Sequence, residues 1–191
     1  VMSFDLNSLY PHLIMQYNIS PETLVNGDAE PVEGMVDKIL DGKVKNTTEY
    51  SMTPNGAFFR KDKRGFLPEL MEKIYNDRVQ YKKLMLEAKQ EFENSGDRNL
   101  LKKISRYNNI QMAKKISLNS AYGAIGNNWF RYFDLMVATA ITTSGQLSIR
   151  WIEKSLNIYL NKILETKGVD YVIASDTDSV YITFDQLVNK V

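Results

Sequence analysis

The chain has 191 residues, 43% of them apolar and 25% charged, a composition that supports a packed core and argues against a disordered polymer. It has no cysteine and a single histidine, His12, which excludes disulfides, thiolate zinc sites and histidine-rich metal sites, so any metal would be held by oxygen, as magnesium and manganese are. The net charge of +1 hides an asymmetry: residues 60–115 hold 15 Lys and Arg against 8 Asp and Glu, while the remainder is acidic, which fits an anionic partner meeting a carboxylate cluster and equally a solvated basic helix surface.

In chain order, "VMSFD" alternates apolar and polar residues and reads as a strand ending in Asp5. "LNSLYPHLIMQYNI" reads as a helix: Asn7 or Ser8 can cap it, Pro11 suits its first turn, and Leu13, Ile14 and Tyr17 fall at helical spacing. "SPETLVNGDAEPVEG" is loop-like. Residues 35–68 look irregular, with a hairpin near 49–66 marked by "PNG" and "KDKRG". Helical spacing covers 69–93, breaks at "NSGD" (94–97) and resumes over 98–122, which predicts an antiparallel helical hairpin. "YGAIGNNWFRYFD" is a glycine-marked turn region, and 134–165 reads as one long helix that tolerates Gly145 inside it. "GVDYVIAS" and "SVYITF" are two strands around "DTD", and "DQLVNKV" starts a last helix. No window approaches the roughly 18 apolar residues of a membrane span. The start lacks a signal peptide, and its opening without an initiating Met reads as a piece of a longer chain.

The chemistry-bearing residues fall into three sets. Asp5 ends one strand, and Asp176 and Asp178 sit at the tip of a hairpin; carboxylates at strand ends are what an oxygen-liganded two-metal site uses to clamp the oxygens of an in-line displacement. Taken alone, an Asp-x-Asp-Ser is more often a plain turn. Arg78 and Lys82 are four apart on one helix face, and Lys115, Asn119 and Tyr122 share a face of the next helix. An antiparallel closure brings these cations together, in the manner of a polyphosphate grip, although exposed helical lysines are commonplace. The helix start at Ser8, Leu9 and Tyr10 offers backbone N–H groups to an anion.

Three motifs then occur in order: "DLNSLYP" at 5–11, "KISLNSAYG" at 115–123 and "SDTDSVY" at 175–181. They resemble the DxxSLYP, KxxxNSxYG and DTDS motifs of family B DNA polymerases. The linking text "NISPET", "SLNSAYGAIGNNWFRYFDL" and "ATAITTSGQ" resembles the T-even phage replicative type. The resemblance covers essentially the whole chain. It implies an α+β fold in which an antiparallel palm sheet is backed by helices and carries an antiparallel helical-hairpin fingers insertion. The palm would be residues 1–68 and 128–191, and the fingers 69–127.

The resemblance also implies roles. Asp5 and Asp178 match the metal-bridging carboxylates, Leu6 the backbone carbonyl ligand, and Asp176 a supporting acid near the primer end. Arg78, Lys82, Lys115 and Asn119 match the triphosphate-holding residues of the fingers, and Ser8 and Leu9 the backbone phosphate contacts. Tyr10 matches the sugar-stacking gate that excludes a 2′-hydroxyl, and Tyr122 the lining of the nascent base-pair pocket. Ala174-Ser175 stands where Tyr-Gly often precedes DTDS, Val79 where a basic residue is often seen, and the fingers insertion is short.

The implied activity is template-directed DNA synthesis: two-metal nucleotidyl transfer from a dNTP to a primer 3′-hydroxyl, with two Mg²⁺ ions or Mn²⁺. The implied partners are primer–template DNA, dNTP, and the thumb and exonuclease segments that the family joins to this region. A sliding clamp and a second copy of the chain are further candidate partners. The implied location is the cytoplasm of a phage's bacterial host. The alternative is a dNTP- or DNA-binding module inactive by itself. A metal-dependent glycosyltransferase, which also uses Asp-x-Asp, is a weaker rival.

Overall fold

The computed structural model describes residues 1–190. Val191, the last position of the expected second palm part, lies outside them. The elements are β1 (Met2–Asp5), α1 (Leu9–Tyr17), a 3₁₀ turn (Pro21–Thr23), α2 (Met35–Leu40), β2 (Ser51–Met52), β3 (Phe58–Phe59), α3 (Phe66–Ser95), α4 (Leu100–Ile125), α5 (Leu135–Leu164), β4 (Val172–Asp176), β5 (Ser179–Ile182) and α6 (Asp185–Lys190). The class is α+β, as expected.

The main sheet is antiparallel with strand order β1-β5-β4. Met2 pairs with Ile182 and Asp5 with Ser179, while Asp176 pairs with Ser179 from the other side. Cross-strand partners share a sheet face, and burial alternates along β5. Val172, Val180 and Ile182 are buried against Ile149 and Leu160 of α5. Asp5, Ser179 and Asp176 occupy the opposite face, and both aspartates there are exposed.

Helix α5 joins two cores. Its second half covers the sheet. Its first half, through Met136, Val137, Ala140 and Ile141, packs with Ile14 of α1, Phe59 of β3, Met71 of α3 and Leu118 of α4. Asp134 starts the helix, accepting a hydrogen bond from the Val137 N–H at 3.0 Å. The small β2–β3 sheet is pinned to that start: the buried Asn55 amide donates to Met136 O and Thr139 Oγ1, both at 2.9 Å.

Helices α3 and α4 form the expected hairpin. Gly96 ends α3 in the left-handed region, with φ 67° and its N–H on Phe92 O. Lys114 pairs with Asp77 at 2.7 Å, and the Tyr81 and Tyr107 rings lie 6.2 Å apart. With 30 residues, α3 is about 45 Å long at 1.5 Å per residue.

Several boundaries differ from expectation. Helix α3 begins at Phe66 rather than 69, because Pro68 falls in the first turn, where a missing N–H breaks no helical bond. Helix α4 runs through Gly123 to Ile125, since buried Leu118 and Ile125 hold one face beyond the glycine. Helix α2 interrupts the stretch read as irregular; only Val36 in it is buried, so it leaves little periodicity in the sequence. Ser8 precedes α1 but does not cap it by its side chain: its backbone is left-handed, φ 54°, and its hydroxyl donates to Asn7 Oδ1 at 3.2 Å.

Candidate functional site

A cleft of about 470 Å³ opens where the β1–α1 turn, the β4–β5 turn and the root of the helical hairpin meet. Asp5, Asn7, Ser8, Leu9, Tyr10 and Pro11 line it from the first segment, Arg78 from α3, Lys115, Asn119 and Tyr122 from α4, and Thr177 and Asp178 from the β4–β5 turn. The first and last segments are tied together directly: the Leu6 N–H donates to Asp178 O at 2.7 Å. That bond extends the β1–β5 pairing past Asp5, and it brings the Asp5 and Asp178 segments together from nearly opposite ends of the chain.

One wall of the cleft is cationic. Arg78 donates from Nη1 to Ser8 Oγ at 3.1 Å, and the same nitrogen lies 3.5 Å from Asn7 Oδ1. Asn7 Nδ2 in turn donates to Tyr75 Oη at 3.2 Å, one turn earlier on α3. His12 closes this network, with its ring edge-to-face on Tyr75 at 4.7 Å and Nδ1 donating to Ser8 O at 2.9 Å. The guanidinium is therefore held at the mouth of α1. Its Nε is buried without a hydrogen-bond partner, a costly state for a charged donor. Lys114, not Lys115, is the lysine occupied by an ion pair, and among the described residues neither Arg78 nor Lys115 has a carboxylate partner. A polyanion entering here meets two cations free of carboxylate partners and the amides of the first turn of α1.

Another part of the lining is aromatic. The Tyr10 and Tyr122 rings lie 4.8 Å apart, tilted by 54°. Burial first, then the proximity of Tyr122 and the negative charge of Asp178, raise the Tyr10 phenol above its ordinary range. The Asp178 charge is thus felt at the ring.

The structure brings Asp5, Ser8, Leu9, Tyr10, Arg78, Lys115, Asn119, Tyr122 and Asp178 into one cleft. It places Lys82 one turn farther out on α3, in an adjoining groove shared with Asn7, Arg78 and Val79. Leu6 lies beside the cleft through its bond to Asp178 O. Asp176 does not line the cleft; it ends β4 on the same sheet face as Asp5 and accepts a hydrogen bond from Thr177 Oγ1 at 3.0 Å. Sequence reasoning gave no site role to Asn7, Pro11 or Thr177. Each stands between or beside residues already singled out, and that adjacency was the available signal.

The donor set facing the cleft is oxygen alone, which suits a hard cation. Among the described residues no three acidic or imidazole groups gather at one point. The protein thus offers the two carboxylates of Asp5 and Asp178 at the cleft. That fits magnesium, which is held by one or two carboxylates plus substrate phosphates and water rather than by an all-protein cage.

Comparison with known proteins agrees with this chemistry. The family model described as DNA polymerase family B matches residues 1–190. The chain is 35% identical over 233 residues to a DNA-directed DNA polymerase of Escherichia phage RB69, and 35% identical over 232 residues to one of Enterobacteria phage T4. Both matches take in 100% of this chain and 26% of the relative, so the chain spans about a quarter of their length. It is also 31% identical over 184 residues to DNA polymerase 1 of Pyrococcus abyssi, covering 96% of this chain and 19% of that protein.

Proposed function

The chain belongs to DNA polymerase family B, and on that premise we propose that it carries the nucleotidyl-transfer site of template-directed DNA synthesis. A primer 3′-hydroxyl attacks the α-phosphorus of a dNTP, a new P–O bond forms, and pyrophosphate departs. The observation that carries this reading is the cleft itself, which the joined Asp5 and Asp178 segments line together with Arg78, Lys115 and Asn119. In this assignment α3 and α4 are the fingers, the β1-β5-β4 sheet with α5 is the palm, and the site works in the host cytoplasm.

Asp5, Asp178 and the Leu6 carbonyl would hold divalent magnesium, which when bound supplies charge neutralisation and a lowered hydroxyl pKa. Arg78, Lys115 and Asn119 bind the triphosphate and counter the charge that develops toward pyrophosphate. Lys82, one turn out, serves the same anion as it enters. The amides of Leu9 and Tyr10 with Ser8 orient the phosphates. Tyr10 lies against the sugar, and Tyr122 beside it lines the space for the base pair. Asp176, locked by Thr177, supports the primer end.

Primer extension on a recessed 3′ end, with Mg²⁺, four dNTPs and low salt, tests this beside Asp178→Asn. Extension by the wild type that is lost in the variant is expected. Equal extension by both removes Asp178 from the metal role. The span of about a quarter of each phage relative keeps a second reading in view, a module that seats Mg–dNTP but leaves primer gripping to other segments. Intact dNTP binding with no extension selects it.

A further inference from the structure

Two glycines lie inside helices among the described residues, Gly123 in α4 and Gly145 in α5. Glycine is the poorest helix former after proline, so each invites a reason. Gly123 has open space where a side chain would stand. Gly145 does not. A Cβ there would lie 2.9 Å from Cε1 and 3.6 Å from Cδ1 of Tyr10, and 3.8 Å from Leu9 Cδ2. Nonbonded carbons sit at about 3.5–4.0 Å, so the Tyr10 ring already occupies the volume of that methyl group.

The ring has little freedom to give way. It is a rigid plane anchored on the first turn of α1, and Tyr122 lies against it at 4.8 Å. Gly145 itself is buried and does not line the cleft. It meets the cleft lining through the Tyr10 ring, with the Leu9 side chain at ordinary contact distance.

We propose that Gly145 is a specificity-determining residue: by letting the Tyr10 ring rest on the backbone of α5, it sets how far the ring reaches into the cleft, and so which sugar, deoxyribose or ribose, the site accepts. This rests on the reading of Tyr10 as the sugar gate. Gly145→Ala drives the ring off α5 and changes the ratio of the two affinities. Its effect runs through the ring and vanishes when the ring is removed.

The test is a double-mutant cycle on the wild type, Gly145→Ala, Tyr10→Ala and the double variant. Two quantities are read: equilibrium affinities for dATP and for ATP with Mg²⁺, and thermal midpoints. With Tyr10 present, Gly145→Ala shifts the dATP/ATP affinity ratio by roughly threefold or more, within the coupling seen between touching residues, and lowers the midpoint. In the Tyr10→Ala background the same change leaves the ratio unaltered and raises the midpoint, because only the helix gain remains. An unchanged ratio with Tyr10 present, or equal shifts in both backgrounds, overturns the proposal. If Gly145→Ala alone does not fold, a folded double variant supports the clash and an unfolded one overturns it. A wild type that binds neither nucleotide removes the gate reading and, with it, the specificity role. The midpoints then still decide whether Gly145 seats the ring.

Discussion

Arg78 lines the cleft at a cost to the fold. A guanidinium with a buried, unpartnered Nε and a long contact to Asn7 weakens the fold it sits in. Backbone strain is distributed in the same way. Four described residues other than glycine have positive φ, and two of them, Ser8 at 54° and Thr177 at 39°, line the cleft on opposite segments. Such strain persists where surrounding structure fixes it, and it concentrates at functional sites. Away from the cleft, Tyr17 shows plain burial: desolvation raises its phenol above the ordinary value. Its folded pKa therefore exceeds the unfolded one. The stability it contributes is complete below the unfolded value of about 10 and is lost as pH rises through the folded value. Denaturant titrations above pH 10 should show a shallower loss of stability in Tyr17→Phe than in the wild type. Matching slopes would contradict the assignment.

Among the elements, the α3–α4 hairpin turns on Gly96. At φ 67°, with nothing within 4 Å of an added Cβ, the only obstacle to a side chain there is the backbone conformation itself. Gly96→Ala should cost on the order of 1 kcal/mol in a denaturation curve, and a neutral result would mean that the turn rearranges freely. The hairpin was the most legible part of the fold, because two long runs of helical spacing around "NSGD" admit few other readings. Its ends were less legible. Sequence marks a stop at Gly123, yet Ile125 is buried and the helix continues. Helix α2 escaped notice because six residues with one buried side chain carry no period. Gly145 read as a tolerated defect in α5, since its reason is a ring on another helix, and nothing local to "TTSGQ" records that contact.

For the molecule as a whole, the same division holds. Composition and motif order pointed to most of the residues that line the cleft, but their convergence depends on contacts between distant segments. The Leu6–Asp178 bond joins nearly opposite ends of the chain, and α5 carries both cores so that sheet and hairpin meet at one cleft. Lys82 and Asp176 were on the right faces and still lie outside the cleft lining, because facing tells direction and not reach. The basic stretch 60–115 now has a location, since α3 and most of α4 carry it and it supplies the cationic wall. The role proposed for this wall and the two carboxylates is to seat a nucleoside triphosphate. The most direct measurement is an equilibrium titration with dATP, with and without Mg²⁺, on the wild type and Arg78→Ala. A hydrogen bond to a charged group is worth about 1.5–3 kcal/mol, and about 1.4 kcal/mol is tenfold in affinity. Saturable, Mg²⁺-dependent binding that weakens by about tenfold or more in Arg78→Ala is expected. Binding that is absent, or that is indifferent to both the metal and Arg78, would contradict it.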